Sequence, residues 1–157
     1  MSILVPFDGS DLAVAALVRA TTLGDAFDET VVAVTIIPER DAEYARDHDW
    51  LGPNEEFDMG EIVAQLHEQV ADVAPEADFH HEVVGRYASA GRIAKKLRRT
   101  AKSADASLVA IGSDNAGHMV SSIHSVGSSV ASDEAFDVLI VRSSLPPDAS
   151  PTDSPGW

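Results

Sequence analysis

The sequence contains no cysteine, and this absence excludes several kinds of chemistry. Disulfide bridges, thiolate metal sites, thiol nucleophiles and iron–sulfur clusters all require cysteine. The histidines do not indicate a metal site either. His80 and His81 are adjacent, so in a strand they would face opposite sides of a sheet and could not bind the same metal ion. The remaining histidines show no metal-ligand spacing, and we expect no metal site built by the protein alone.

Positive charge is also scarce. Lysine and arginine number 11 against 26 aspartates and glutamates, which gives a net charge of −15 and a pI of about 4.5. Such a surface repels phosphate backbones and anionic lipids, so we expect neither nucleic acid nor membrane as a partner. It also repels itself unless salt screens it. This favours the salty cytoplasm of a halophile, such as a halophilic archaeon, over an ordinary acidic protein.

Long hydrophobic runs are missing as well. No segment approaches the roughly 18 apolar residues of a membrane span, and Met1 leads directly into a predicted strand, which argues against a signal peptide. With 157 residues, 45% of them apolar, we expect one cytoplasmic domain over residues 1–144. The tail, residues 145–157, is rich in Pro, Ser and Asp, and we expect it to be flexible.

Five short apolar segments predict β-strands. They cover residues 2–7, 30–37, 77–84, 107–112 and 137–142. All but the third are almost continuous in Val, Ile and Leu, which is typical of strands buried on both faces of a parallel sheet.

Helical spacing separates these segments. Apolar residues recur three or four positions apart in four groups: Leu12, Ala16, Ala20 and Leu23; Ile62, Leu66, Val70 and Val73; Ile93, Leu97, Ala101 and Ala104; and Ile123, Val126 and Val130. Ser10 is a candidate N-cap for the first helix. Regular alternation of strand and helix predicts a doubly wound α/β fold, with a five-stranded parallel sheet covered by helices on both faces.

The connection over residues 38–55 is longer than most loops. Two interpretations remain open at this point. The connection is either a lid over a binding site or an insertion with a short helix of its own, and we favour the second.

Ligands of such sheets bind at the carboxyl ends of the strands, where the strand order reverses. The turn after the fourth strand begins at Gly112 and contains Asn115 and Gly117, followed by several serines. Backbone N–H groups and hydroxyls of this kind can hold a phosphate. A plain turn with serines as helix caps is the alternative. The sequence lacks the P-loop motif, the dinucleotide-binding glycine motif and the G-x-S-x-G nucleophile elbow.

Several separate segments, in the right order, resemble the universal stress protein family. The matching segments are Ile3-Leu4-Val5-Pro6-Phe7-Asp8-Gly9-Ser10, Val84-Gly85-Arg86-Tyr87, Ala106-Ser107-Leu108-Val109-Ala110-Ile111-Gly112-Ser113, and Ser125-Val126 with Val138-Leu139-Ile140-Val141. The resemblance covers most of residues 2–142. It implies the strand order 3-2-1-4-5, a homodimer and, in one branch of the family, an ATP site.

The ATP-binding branch holds phosphates with Gly, two residues, Gly, nine residues, then Gly and Ser or Thr. Gly112 and Ser125 match the ends of that pattern, but Asn115 and His124 replace the other two glycines, and the spacing is one residue short. Side chains at those positions hinder the close approach of the backbone to a phosphate. The resemblance implies that Pro6 and Asp8 lie near the adenosine and that Ile36 meets the base. The other nucleotide-binding candidates are Gly112, Asn115, Gly117, Ser125 and Val126.

The resemblance implies a dimeric, non-catalytic stress-response or regulatory module with a degenerate nucleotide-binding loop. The alternative is an ATP-binding switch that hydrolyses ATP slowly, with Mg²⁺ as a further cofactor and no catalytic residue identified. The expected dimer interface is the last strand, through Val138, Leu139, Ile140 and Val141. On physical grounds, an apolar edge strand is prone to pairing if it is left uncovered.

Overall fold

The computed structural model describes residues 1–114 and 136–143. These residues form five strands and four helices: β1 (Ser2–Pro6), α1 (Asp11–Phe27), β2 (Thr30–Pro38), α2 (Ala42–Asp47), α3 (Met59–Val73), β3 (Asp78–Val84), α4 (Ala90–Ser103), β4 (Ala106–Gly112) and β5 (Asp137–Val141). Each observed strand end lies within one residue of the predicted end. The helix predicted around Ile123 and the tail over 145–157 lie outside the described residues.

The five strands form one parallel sheet in the order β3-β2-β1-β4-β5, as predicted. β1 pairs with β2 on one side and with β4 on the other. The strand order therefore reverses between β1 and β4. Their carboxyl ends flank the place where a doubly wound fold binds its ligands.

The central strand is buried on both faces of the sheet. Ile3, Leu4 and Val5 are all fully buried. Ile3 and Val5 pack in the core beneath α1 and α3, whereas Leu4 packs in the core beneath α4. Burial of each such side chain contributes roughly 1.5–3 kcal/mol, and this two-sided burial explains why the strand is apolar without alternation.

The strands at the two ends of the sheet are less buried. In β3 only Val84 is buried, and His80 and His81 are exposed. In β5 the side chains of Val138, Leu139 and Ile140 are half-buried. The mixed polar pattern of the third predicted strand thus reflects its position at the end of the sheet.

Side-chain caps fix the starts of the long helices. The Ser10 hydroxyl accepts a 3.2 Å hydrogen bond from Ala13 N, which confirms the predicted N-cap. Asp58 caps α3 and Ser89 caps α4 in the same way. Each cap satisfies a backbone N–H that has no partner within the helix.

The long connection after β2 contains a helix, as the favoured interpretation predicts. Asp41 is buried and accepts a 3.0 Å hydrogen bond from Tyr44 N, which begins α2. Trp50 and Leu51, which follow α2, are buried as well. The connection is therefore packed against the rest of the domain. None of the helices within residues 1–114 and 136–143 is long and apolar enough to cross a membrane.

Candidate functional site: a cleft at the carboxyl ends of the strands

A cleft of about 300 Å³ opens at the carboxyl ends of β1, β2 and β4. Three groups of residues line it, from the strands and the turn after β1, from the segment around α2, and from the start of α4. They are Pro6, Phe7, Asp8, Val34, Thr35, Ile36, Ile111 and Asp114; Tyr44, His48 and Trp50; and Ala88, Ala90, Ile93, Ala94 and Leu97. The cleft occupies the place that the reversal of strand order predicts.

The turn after β1 forms one side of the cleft. Gly9 has a φ of +84°, in the left-handed region that favours glycine. This conformation lets the Asp8 carboxylate accept a 3.0 Å hydrogen bond from Ser10 N, immediately before α1. The Thr35 hydroxyl donates to the carbonyl of Phe7 and so ties the turn to β2. The main chain around Asp8 is therefore fixed from two sides.

An aromatic cluster from the α2 segment forms a second wall. The rings of Tyr44 and His48 stack with centroids 4.1 Å apart, and the Trp50 ring lies 5.0 Å from His48 and 5.6 Å from Tyr44. The Trp50 indole Nε1 donates a 2.8 Å hydrogen bond to the carbonyl of Asp8. The cluster, named here the aromatic wall, consists of Tyr44, His48 and Trp50.

A second hydrogen bond fixes the imidazole of His48. Its Nδ1 lies 2.8 Å from the carbonyl of Tyr44. Because a carbonyl only accepts hydrogen bonds, Nδ1 carries the proton, and Nε2 of the neutral ring is an acceptor. The aromatic wall thus has fixed ring positions and one acceptor nitrogen.

The hydroxyl of Tyr44 lies in an environment that disfavours its ionised form. Burial, followed by the carboxylates of Asp8 and Asp41, raises the pKa of Tyr44 to about 12. Tyr44 therefore stays neutral at physiological pH and keeps a proton to donate.

A third part of the lining is apolar. It consists of half-buried and buried side chains from the first turns of α4 and from β2, among them Ile93, Ala94 and Ile36. A flat ring in the cleft would therefore meet apolar side chains and aromatic rings in the lining. Polar groups that fix the orientation of such a ring are available at Asp8, Tyr44 and His48.

A second hollow of similar size adjoins the cleft. It shares Asp8, His48, Trp50 and Asp114 with the cleft. Its other lining residues are Gly9, Ser10, Asp47, Asp49 and Gln69. Within residues 1–114 and 136–143, no three histidine or acidic side chains are placed to hold a metal ion together.

The structure brings together some of the residues predicted from the sequence. Pro6, Asp8 and Ile36 all line the cleft. Asn115, Gly117, Ser125 and Val126 lie outside the described residues.

Gly112 ends β4 close to the cleft but does not line it. A Cβ atom at Gly112 would lie 2.8 Å from Cβ of Leu12 and 2.9 Å from Oδ1 of Asp114. Packing of α1 against β4 is therefore a sufficient reason for glycine at this position.

Sequence reasoning missed the aromatic wall. Residues 38–55 read as a polar connection, and α2 has only six residues, too few for a periodic pattern. The available signal was the pair Trp50-Leu51, which is apolar within an otherwise polar stretch. Large apolar residues in a long loop indicate that the loop is packed, and packed loops often carry function.

Solved structures with the same fold are universal stress proteins. One is a complex with cAMP, with a TM-score of 0.54 and 22% identity, covering 92% of this chain and 98% of that one. Another, from Archaeoglobus fulgidus in complex with dAMP, has a TM-score of 0.52 and 18% identity, covering 90% and 98%. UspA from Lactobacillus plantarum has a TM-score of 0.51 and 19% identity, covering 90% and 97%. At these identities the likeness establishes the fold.

Sequence comparison settles the family. No curated protein matches the chain. The sequence model of the universal stress protein family, in contrast, matches residues 1–142, which include every described strand and helix. The chain therefore belongs to the universal stress protein family.

Proposed function

We propose that this protein is a cytoplasmic, non-catalytic stress-response module that binds the adenosine part of a small ligand in the cleft. The observation that carries the proposal is the convergence of Pro6, Asp8 and Ile36 on one cleft with an aromatic wall. These are the three residues that the family resemblance associates with the adenosine and its base. Two structures with this fold hold cAMP and dAMP, which are adenine nucleotides.

The dimensions and chemistry of the cleft suit an adenine ring and its sugar. A volume of about 300 Å³ lies at the small end of the range for ligand pockets. Ile36 and Ile93 offer an apolar face to the base, and the aromatic wall offers rings for stacking. The Asp8 carboxylate, the Tyr44 hydroxyl and Nε2 of His48 are the polar groups available to the sugar and the ring edge.

Calorimetric titration with adenosine and adenine nucleotides tests the proposal. The Ala90→Trp variant places a large ring at the cleft, because Ala90 is exposed and lines it. Ala64→Trp is the matched control, an exposed alanine on α3 that lines none of the described hollows. We expect Ala90→Trp to weaken binding at least tenfold and Ala64→Trp to leave it unchanged. Equal binding by both variants, or no binding by the parent, would refute the proposal.

An ATP-binding switch with slow hydrolysis is the second candidate. The observation that favours it is that two carboxylates, Asp8 and Asp114, line the cleft. Mg²⁺ is commonly held by one or two carboxylates together with substrate phosphates, so the donor set fits the ion. Phosphate release from ATP that is abolished by Ala90→Trp would establish this candidate. It would also contradict the first proposal in so far as that proposal makes the protein non-catalytic.

Because the chain is strongly acidic, we also propose that the protein works in a high-salt cytoplasm. With a net charge of −15, the folded chain repels itself, and the Debye length falls from about 10 Å at 0.1 M salt to about 3 Å at 1 M. We therefore expect the melting temperature to rise between low and molar KCl, with an equal osmolality of sucrose as the control for solvent exclusion. A melting temperature that KCl raises no more than sucrose does would contradict a halophilic origin.

A further inference from the structure

The basic residues of the chain are concentrated on helix α4. Six of the 11 lysines and arginines lie in this helix of 14 residues: Arg92, Lys95, Lys96, Arg98, Arg99 and Lys102. No aspartate or glutamate occurs between Glu82 and Asp105, although the chain has 26 acidic residues. A surface helix often balances its charges with acids three or four positions away from its basic residues. Helix α4 contains no such acid.

Three of the six basic side chains form one row on the solvent side of the helix. This row, named here the basic face, consists of Arg92, Lys95 and Arg99. All three are exposed, whereas Leu97 on the other side of the helix is buried in the core. Lys96 and Arg98 are half-buried beside the row. At 1.5 Å per residue, the row extends about 10 Å along the helix axis.

The described part of the chain leaves the basic face unpaired. Lys96 lies 3.6 Å from the carboxylate of Glu82, and Lys102 makes an interaction as well. Within residues 1–114 and 136–143, in contrast, no ion pair or side-chain hydrogen bond engages the side chains of the basic face. Other arginines are used within the chain. Those with a side-chain partner are Arg19, Arg40, Arg46 and Arg86.

The basic face is unfavourable for the helix that carries it. Like charges three or four positions apart destabilise a helix. Arg92 lies in the first turn of α4, where a positive charge opposes the helix dipole. The described residues offer these charges no compensating contact, so an intramolecular role does not account for them.

We propose that the basic face is a docking surface for a short acidic segment of another polypeptide. Charge complementarity selects this occupant, because the row is positive in a chain that is otherwise strongly acidic. About four residues of extended chain, at roughly 3.3 Å each, cover a row of this length. The guanidinium groups of Arg92 and Arg99 suit carboxylates, which they can bind through two parallel hydrogen bonds. The proposal does not depend on a ligand in the cleft.

A nucleic acid suits this surface less well than a short peptide. Its phosphates continue at regular intervals far beyond the length of the row. They would then meet the rest of a chain whose net charge is −15. Glu82 and Asp105 already lie at the two ends of the acid-free stretch. A segment of a few residues, in contrast, contacts the basic face alone.

The proposed docking is compatible with high salt. In a guanidinium–carboxylate pair the nitrogen and oxygen atoms lie about 2.8 Å apart. This distance is no longer than the Debye length of about 3 Å at 1 M salt. Salt therefore removes the long-range attraction first and weakens the close pairs less.

Fluorescence anisotropy with a labelled hexaglutamate peptide tests the proposal. The measurements run from the lowest KCl concentration at which circular dichroism shows folded protein up to molar KCl. A hexaglutamine peptide is the uncharged control, and an oligothymidylate with the same number of charges is the nucleic-acid control. We expect hexaglutamate to bind at least about tenfold more tightly than either, with an affinity that falls as KCl rises.

Two triple variants assign the binding to the basic face. The first combines Arg92→Gln, Lys95→Gln and Arg99→Gln. The matched control removes the same charge from three exposed arginines elsewhere, through Arg19→Gln, Arg40→Gln and Arg142→Gln. We expect the first variant to weaken hexaglutamate binding at least about tenfold and the control to weaken it much less, because contact pairs are stronger than distant charges.

Thermal unfolding separates docking from a structural role of the same side chains. Both variants have the same net charge, but only the first relieves repulsion within α4. We therefore expect the first variant to melt at a higher temperature than the control. A lower melting temperature would show that the basic face stabilises its own chain, and it would contradict the proposal.

Four binding results would overturn the proposal. If the parent protein ignores hexaglutamate wherever it is folded, the face does not dock acidic peptides. Equal losses in the two variants would make net charge, and not the face, responsible. An oligothymidylate that binds as tightly as hexaglutamate would replace the peptide with a nucleic acid. If light scattering shows a dimer that only the first variant loses, a second copy of the chain covers the face.

Discussion

The indole Nε1 of Trp50 donates a 2.8 Å hydrogen bond to the main-chain carbonyl of Asp8, 42 residues earlier in the chain. This contact joins the α2 segment to the turn after β1. It places the aromatic wall against the strand end that the family resemblance associates with adenosine. One hydrogen bond therefore links the connection after β2 to the centre of the sheet.

Replacing Trp50 tests how this contact holds the segment. Trp50→Phe removes the donor but keeps a ring at a position only 5% exposed, so we expect a loss of about 1 kcal/mol in the free energy of unfolding. Trp50→Ala also removes the buried ring and is expected to cost about 3–5 kcal/mol. Urea denaturation followed by circular dichroism measures both. A Phe variant as stable as the parent would show that the hydrogen bond is not needed to hold the segment.

Gly112 provides a second test, because the sequence and the structure explain this residue differently. The family pattern makes it a phosphate-binding glycine, whereas the structure shows α1 packed closely against it through Leu12. Adding a Cβ atom there requires the backbone or Leu12 to shift, and overpacking of this kind costs about 1–3 kcal/mol. We therefore expect Gly112→Ala to lower the free energy of unfolding by that amount, even without a ligand.

Gly85→Ala is the matched control for this substitution. A Cβ atom at Gly85 would meet nothing within 4 Å, and the residue is exposed. We expect it to change the free energy of unfolding little, or to raise it slightly by restricting the unfolded chain. Equal effects of the two substitutions would contradict the packing explanation for Gly112.

These residues show where sequence reasoning succeeds and where it stops. The run Ile3-Leu4-Val5 predicts a strand buried on both faces, because every side chain is apolar whichever way it points. The aromatic wall could not be predicted in the same way. Its placement depends on Trp50 reaching Asp8 across the fold, and such a contact leaves no periodic trace. The family pattern singles out Gly112, but the sequence cannot distinguish a glycine needed for packing from one needed for a phosphate.

The raised pKa of Tyr44 makes stability depend on pH in the alkaline range. Burial and two carboxylates hold this pKa at about 12, above the ordinary value of 10.0. The neutral phenol of Tyr44 is favoured in the folded state, so its contribution to the free energy of unfolding is complete below pH 10.0. That contribution is lost as the pH rises toward the folded value, because the unfolded chain ionises first. The loss amounts to about 3 kcal/mol at most.

Comparison with Tyr44→Phe measures this contribution. We expect the free energy of unfolding of the parent to fall between pH 10 and 12 more steeply than that of Tyr44→Phe. Since the chain has two tyrosines, a Tyr87→Phe background isolates the absorbance change of the Tyr44 phenolate. If Tyr44 titrates near the ordinary value in that background, the burial and the charges described for the cleft are wrong.

The prediction of a homodimer rests on the last strand, β5. β5 lies at one end of the sheet order, and its half-buried side chains Val138, Leu139 and Ile140 are all apolar. A strand at this position presents main-chain N–H and C=O groups that a second copy can pair with. We expect light scattering in molar KCl to give twice the mass of the 16.6 kDa chain.

A pair of substitutions at the two ends of the sheet locates the interface. Ile140→Glu places a charge on β5, whereas Val83→Glu places the same charge on β3, where Val83 is already 39% exposed. If the dimer forms through β5, the first variant is a monomer and the second remains a dimer, while thermal unfolding confirms that both are folded. A parent protein that scatters as a monomer at every concentration would disprove the dimer. Dissociation caused by Val83→Glu alone would move the interface to β3, because only a charge buried between two copies is strongly unfavourable.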